Sequence, residues 1–185
     1  MRIVFLGSGA FGLPTLRKLA DVHEIVGVVT AQDKSAGRNR KPTPTPIAKW
    51  ASEHGLQIFK TGNVNDAQMV RHIEELHVEA MVVIAFGQKI SEELIKGQRT
   101  MNLHASLLPR WRGAAPINAA VVNGDEHSGV SVITLAQTMD AGVVLGQVST
   151  AIGETETAGE LHDRLAELGP DLILQVLSGD GSGQA

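Results

Sequence analysis

Three features of the amino-acid sequence predict an α/β fold. The first 30 residues read strand, glycine turn, helix, strand: an apolar run over Arg2–Leu6, a helical stripe at Leu13, Leu16, Leu19 and Ala20, and a second run over Ile25–Val29. Ala80–Ala85 is continuously apolar, the mark of a strand buried on both faces by covering helices. After Val130 the pattern changes to two short runs separated by a turn, followed by one long helical repeat. Together they predict an open, mostly parallel, Rossmann-like sheet with helices on both faces and a C-terminal β-hairpin and helix.

The elements follow in order. Arg2–Leu6, the helix after Gly12, and Ile25–Val29 form a βαβ unit with a parallel strand pair. From Gln32 to Pro46 prolines alternate with threonines among basic residues, which predicts a loop with neither helix nor strand. A helix follows through Ile47, Trp50 and Ala51 to His54, with Gly55 as its stop. Leu56–Phe59 reads as a third strand, and Asn65 as the cap of a helix carrying Met69, Val70, Ile73 and Leu76 on one face. The central strand Ala80–Ala85 leads into a short helix over Ser91–Ile95 and a strand over Arg99–Leu103. Ala115–Asn123 is helical with Pro116 in its first turn. Val130–Leu135 and Val143–Ile152 are the hairpin strands around the turn Thr138–Gly142. Thr157–Leu177 is the last helix, with Pro170 as a break or a new first turn.

The totals narrow the class of protein. With 185 residues, 43% hydrophobic and 19% charged, the chain suits one globular domain, and no apolar run reaches the ~18 to 20 residues of a membrane span. The N-terminus enters a strand directly and lacks a signal-peptide core. The absence of cysteine excludes disulfides, thiolate metal sites and cysteine nucleophiles, and no other metal-ligand cluster is present. A formal charge of −4 argues against generic nucleic-acid coating. Positive charge is nevertheless concentrated at Lys34, Arg38, Arg40 and Lys41 and again at Arg110 and Arg112. Each cluster is either a solvated loop or part of a local anion site.

Gly7-x-Gly9-x-x-Gly12 has the spacing and the strand-to-helix context of a dinucleotide fingerprint, and Asp33 follows at a suitable distance. The same glycines also serve a purely structural purpose, a tight turn with close helix-to-strand approach. A noncatalytic dinucleotide-binding module is therefore one functional alternative.

The densest chemistry lies in Met101–Gly113, MNLHASLLPRWRG. Asn102 and His104 stand two apart at a strand end, so both side chains leave on one face. An amide can donate to a developing oxyanion, and an imidazole can carry protons near neutral pH. In an open parallel sheet ligands bind beyond the carboxyl ends of strands, which would bring Phe86–Ile90 and the segment after Leu103 to one crevice.

The run Asn102 to Ile117, the Met139-Asp140-Ala141-Gly142 turn, and the stretches TAQDKSAGRNRK and TPIAKWASEHGLQIF resemble the folate-dependent formyltransferases. Within that family the enzymes acting on methionyl-tRNA are the nearest match. Ala105 and the RWRGAAPI continuation fit them better than the glycinamide-ribonucleotide enzymes, where proline is expected at 105, or the sugar-nucleotide enzymes, where glycine is expected. The resemblance covers residues 1–177 and implies a formyltransferase fold, with a flexible Gly/Ser tail at 178–185. It also implies a C-terminal tRNA-binding barrel domain in the family that this chain lacks. The first turn departs from the pattern: Gly-Ser-Gly stands where Gly-Thr-Pro is usual.

The activity implied is transfer of the formyl group of 10-formyltetrahydrofolate to the amino group of initiator methionyl-tRNA, a one-carbon step in translation initiation. Asn102, His104 and Asp140 would be catalytic. Ser106, Leu107, Leu108 and Pro109, with Phe86, Gly87, Gln88, Lys89 and Ile90, would hold the folate. Lys34, Arg38, Arg40, Lys41, Arg110 and Arg112 would face tRNA phosphates. The expected setting is a cytoplasmic monomer using no metal and no membrane. A formyltransferase acting on a small amine, glycinamide ribonucleotide or an amino-sugar nucleotide, is the other enzymatic alternative.

Overall fold

The computed structural model describes residues 1–36 and 41–179. Its main sheet has seven strands in the order β5-β2-β1-β6-β7-β8-β9: β1 (Arg2–Gly7), β2 (Glu24–Ala31), β5 (Ile58–Thr61), β6 (Ala80–Ile84), β7 (Arg99–His104), β8 (His127–Thr134) and β9 (Val144–Ala151). The predicted α/β class and mostly parallel sheet stand, and the chain divides into two compact units, Met1–Thr100 and the part from Met101 onward.

In the first unit β1 pairs in parallel with β2 and β6, and β2 with β5. All five residues of β6 are buried, as its unbroken apolar run requires. Helix α1 (Leu13–Val22) buries Leu16 and Leu19, α2 (Pro46–Glu53) buries Ile47, Ala48 and Ala51, and α3 (Ala67–Glu75) buries Val70 and Ile73. Thr45 caps α2 by accepting the Ala48 N–H, and Gly55 follows at φ +68°. A short helix α4 (Glu92–Ile95) is capped by Ser91.

Three expectations in this unit are corrected. The proline-rich stretch is not wholly irregular: β3 (Lys34–Ala36) and β4 (Lys41–Thr43) pair antiparallel as a separate two-stranded ribbon. Such a ribbon has only edges, where proline's missing N–H is tolerated, and Pro42 lies opposite Ser35. The third strand begins at Ile58 rather than Leu56. Asp66, not Asn65, occupies the N-cap of α3; the Asn65 amide instead donates to Lys89 O and accepts the Ser91 N–H.

The second unit is an antiparallel ladder, β7 with β8 and β8 with β9, against which α6 (Ala158–Ser178) and α5 (Pro116–Val122) pack. Thr157 and Glu160 form a capping box at the start of α6, and Gly179 ends it in the left-handed conformation. Pro170 does not break the helix, contrary to expectation. Its neighbour Gly169 has no Cβ to clash with the proline ring, and buried Leu161, Leu165, Leu172, Ile173 and Val176 anchor the helix on both sides of it. The tail beyond Gly179 lies outside the described residues.

Candidate active site

Strand β7 presents Asn102 and His104 on one face, as their spacing requires. In register across the ladder, Asn102 faces Ile133, and His104 faces Ser131, which in turn faces Gln147 of β9. His104 is 7% exposed. Its Nε2 lies 2.9 Å from the Trp111 carbonyl oxygen. A carbonyl only accepts, so Nε2 carries a hydrogen and Nδ1 is the nitrogen open to proton exchange. Nδ1 stands 3.5 Å from Asp140 Oδ2, with both side chains largely buried. At that separation the two face each other without a tight hydrogen bond.

Asp140 reaches this position from the turn between β8 and β9 with φ +51°, a strained value for a non-glycine residue. The turn is pinned on Thr134: the Val143 N–H donates to Thr134 Oγ1 and the Thr134 N–H to Val143 O, both at 2.9 Å. A Cβ at Gly142 would lie 1.7 Å from Thr134 O, so only glycine fits beside Asp140 there. The Gly113 N–H donates to Asp140 Oδ2 at 2.9 Å. The Asn102 amide is half-buried and makes no side-chain hydrogen bond among the described residues, which leaves its N–H groups available to a ligand.

The segment Ser106–Pro109 is clamped from below. Buried Ser131 donates to Ser106 O at 2.6 Å and accepts the Leu108 N–H at 3.0 Å, while Gln147 donates to Ser131 Oγ and Leu108 O. The Ser106 hydroxyl is turned inward onto Arg110 O, and the Leu108–Pro109 peptide is cis. A four-residue segment of backbone is thus fixed by side chains of two strands, with Pro109 left exposed.

The basic residues divide. Arg110 forms a bidentate pair with Asp125, at 2.6 and 3.0 Å, and its guanidinium lies 4.7 Å from the Trp111 ring centre. That pairing raises the Arg110 pKa and, together with the Trp111 indole N–H, holds the Asp125 carboxyl below its ordinary range. Arg112 is exposed, as are Lys34 and Lys41 of the ribbon. Arg38 and Arg40 lie outside the described residues.

In the first unit, Phe86 and Ile90 are buried and Gly87 has φ +77°. Gln88 is committed to its own unit, accepting the Val64 N–H and donating to Thr61 O; Lys89 is exposed. The glycine turn is built for packing. A Cβ at Gly7 would meet the Phe5 ring at 2.6 Å and Ile84 O at 2.9 Å, and at Gly12 the Phe5 ring at 3.0 Å. The Ser8 and Gly9 N–H groups, which would cradle a pyrophosphate, both donate to Ala85 O. Asp33 pairs with Lys60 at 2.7 Å. Sequence reasoning missed Trp111 O, Gly113 N, Ser131 and Asp125, and only the odd buried serine in an apolar strand was a signal for any of them.

Residues 1–177 match the formyl transferase family. The chain belongs to that family. A methionyl-tRNA formyltransferase of Methylococcus capsulatus is 42% identical over 182 residues, covering 97% of this chain and 59% of that protein. One of Fusobacterium nucleatum is 40% identical over 179 residues, covering 96% and 58%. The chain thus spans about three fifths of the length of the curated relatives it matches. A crystal structure of phosphoribosylglycinamide formyltransferase from Streptococcus pneumoniae, 19% identical, superposes with a TM-score of 0.79 over 96% of this chain and 97% of that one. The formyltransferase fold expected from the sequence is therefore shared with solved members. No described helix is long and apolar enough to cross a membrane.

Proposed function

We propose that this chain carries the catalytic domain, residues 1–177, of an enzyme that transfers the formyl group of 10-formyltetrahydrofolate to the amino group of initiator methionyl-tRNA. The observation that carries the chemistry is the constellation on one strand face: an Asn102 amide with no side-chain hydrogen bond among the described residues, beside a buried His104 whose Nδ1 stands 3.5 Å from Asp140. The choice of methionyl-tRNA among amines is supported by relatives of that name at about 40% identity.

The donor set fits a formyl group. Its carbonyl oxygen gains charge as the amine attacks, and Asn102 offers N–H donors for it that no described protein group claims. The new bond joins the amine nitrogen to the formyl carbon, and the bond from that carbon to the folate nitrogen breaks. The attacking amine loses a proton and the leaving nitrogen gains one. His104 Nδ1 can take the first and return it, while the Asp140 carboxylate stabilises the imidazolium in between. Clamped Ser106–Pro109 and the turn at Asp140 would line the folate site within the second unit. Arg112, Lys34 and Lys41 would meet phosphates; Arg110 serves Asp125 instead.

The test is formyl transfer by the chain from 10-formyltetrahydrofolate to charged initiator tRNA, glycinamide ribonucleotide and an amino-sugar nucleotide in parallel. Product on tRNA alone is expected. Product on a small amine but none on tRNA overturns the substrate assignment. NADH binding without folate binding would overturn the chemistry as well, a result disfavoured by the Ser8 and Gly9 N–H groups being engaged by Ala85 O.

A further inference from the structure

We infer that Asp125 is a positioning residue for the His104–Asp140 pair, acting through Trp111. The inference rests on the formyl-transfer reading for its kinetic consequence and on geometry for its substance. Trp111 has φ +57°, an uncommon conformation for a bulky side chain that persists only where the surroundings hold it. One carboxylate supplies that hold. Asp125 Oδ2 accepts the Trp111 indole N–H at 2.6 Å, fixing the edge of the ring. Both its oxygens also bind Arg110, whose guanidinium lies against the Trp111 ring. Asp125 is itself set in place: its side chain is 9% exposed, and its N–H donates to Ala120 O at the end of α5.

What is held is a short template for both catalytic partners. With the indole anchored, the Trp111 carbonyl points at His104 Nε2, and two residues on the Gly113 N–H points at Asp140 Oδ2. The segment 111–113 therefore grips the imidazole from one end and the carboxylate from the other, and the 3.5 Å gap between them is set by its position. Asp125 touches neither partner. Releasing it frees Trp111 to leave the left-handed region, which turns its carbonyl away from Nε2 and lets Gly113 drift from Asp140. Such a displacement by about 1 Å typically costs on the order of 100-fold in rate.

The experiment compares Asp125→Ala, Asp125→Asn and Trp111→Phe with the wild-type chain, each checked for folding by circular dichroism. Formyl transfer kinetics are measured alongside nitrogen-15 NMR of the His104 ring without substrate. Asp125→Ala and Trp111→Phe should each lower kcat by about 10- to 100-fold with KM values within about twofold. Both should shift the Nε2 resonance away from its hydrogen-bonded position, and the double variant should be no worse than either alone. Asp125→Asn, which keeps an acceptor for the indole, should restore kcat to within a few-fold. Trp111→Phe keeps an aromatic side chain but removes the indole N–H together with the five-membered ring, and it stands as a second variant if Asp125→Ala does not fold. Wild-type kcat with unchanged ring signals in Trp111→Phe overturns the inference, as does an Asp125→Asn variant as impaired as Asp125→Ala. The ring signals are read without substrate. A chain that formylates no amine would sink the proposed function and leave this result standing or falling on its own.

Discussion

Replacing Ser131 by alanine should destabilise the protein by about 3 kcal/mol, far more than loss of one surface hydroxyl costs. The Ser131 oxygen is fully buried and makes three contacts: it donates to Ser106 O, accepts the Leu108 N–H, and accepts from Gln147 Nε2. Gln147 is exposed and keeps its bond to Leu108 O, so it can turn to water at little cost. Ser106 and Leu108 cannot, being 1% and 7% exposed. Each buried group left without a partner costs about 1–3 kcal/mol, and partial relaxation of the loop brings the sum to about 3. For a chain of this length that corresponds to a fall in Tm of roughly 6–12 °C. Urea unfolding at neutral pH measures it as a lower midpoint with an unchanged slope. Because Ser131 stands directly across from His104, kcat should fall as well. A midpoint shift equivalent to less than about 1 kcal/mol would refute the reasoning, since it would mean that the Leu108 N–H and Ser106 carbonyl find other partners.

Asn102→Ala should cut kcat by about 10²- to 10³-fold while leaving stability within about 0.5 kcal/mol, because the amide makes no hydrogen bond among the described residues; steady-state kinetics and a melt decide it. Gly142→Ala should displace the Asp140 turn, since its Cβ would fall 1.7 Å from a backbone oxygen, and both Tm and kcat should drop. Glu156, held to about 2 chiefly by Arg164 and then by the Gly153 N–H, is a lowered carboxylate. Its contribution is fully present above the unfolded value of about 4.5 and is lost as pH falls through about 2. Glu156→Gln should therefore cost about 1 kcal/mol at pH 7, screened by solvent around Arg164, and nothing below pH 2, as urea midpoints across pH would register. Neutralising Lys34, Lys41 and Arg112 together should lower the salt dependence of tRNA affinity by roughly 2 to 3 in log–log slope with folate affinity unchanged; identical slopes would make these residues a solvated surface.

The parts of the fold that could be read from the sequence are those where one local pattern dominates. Ala80–Ile84 is a buried strand because five apolar residues in a row leave no polar face, and Thr157 with Glu160 starts α6 because a capping box is complete within four residues. The misreadings arose where a second, nearby residue changed the rule. Pro170 predicts a break, but Gly169 offers no Cβ to the proline ring and buried residues on both sides of it anchor the helix. Pro42 forbids an interior strand, but a two-stranded ribbon has no interior. Asn65 is a good cap by composition, yet its amide is worth more bridging Lys89 and Ser91, and the cap falls to Asp66.

The site divides along the same line. Asn102 and His104 share a face by strand periodicity alone, and family resemblance supplied Asp140. The groups that hold them do not have a sequence signature. Two are backbone atoms, Trp111 O and Gly113 N, whose direction depends on a φ of +57° that no propensity favours for tryptophan. The third, Asp125, is one acidic residue in an ordinary Gly-Asp turn, and it reaches Trp111 across 14 positions only because α5 folds back between them. A strained backbone needs a distant side chain to hold it, so the residue that enforces the geometry is remote in sequence from the residues that use it. This is why the proposed reacting groups of this chain can be found from a short motif, while Asp125, the acid proposed to position them, emerges only from the folded chain.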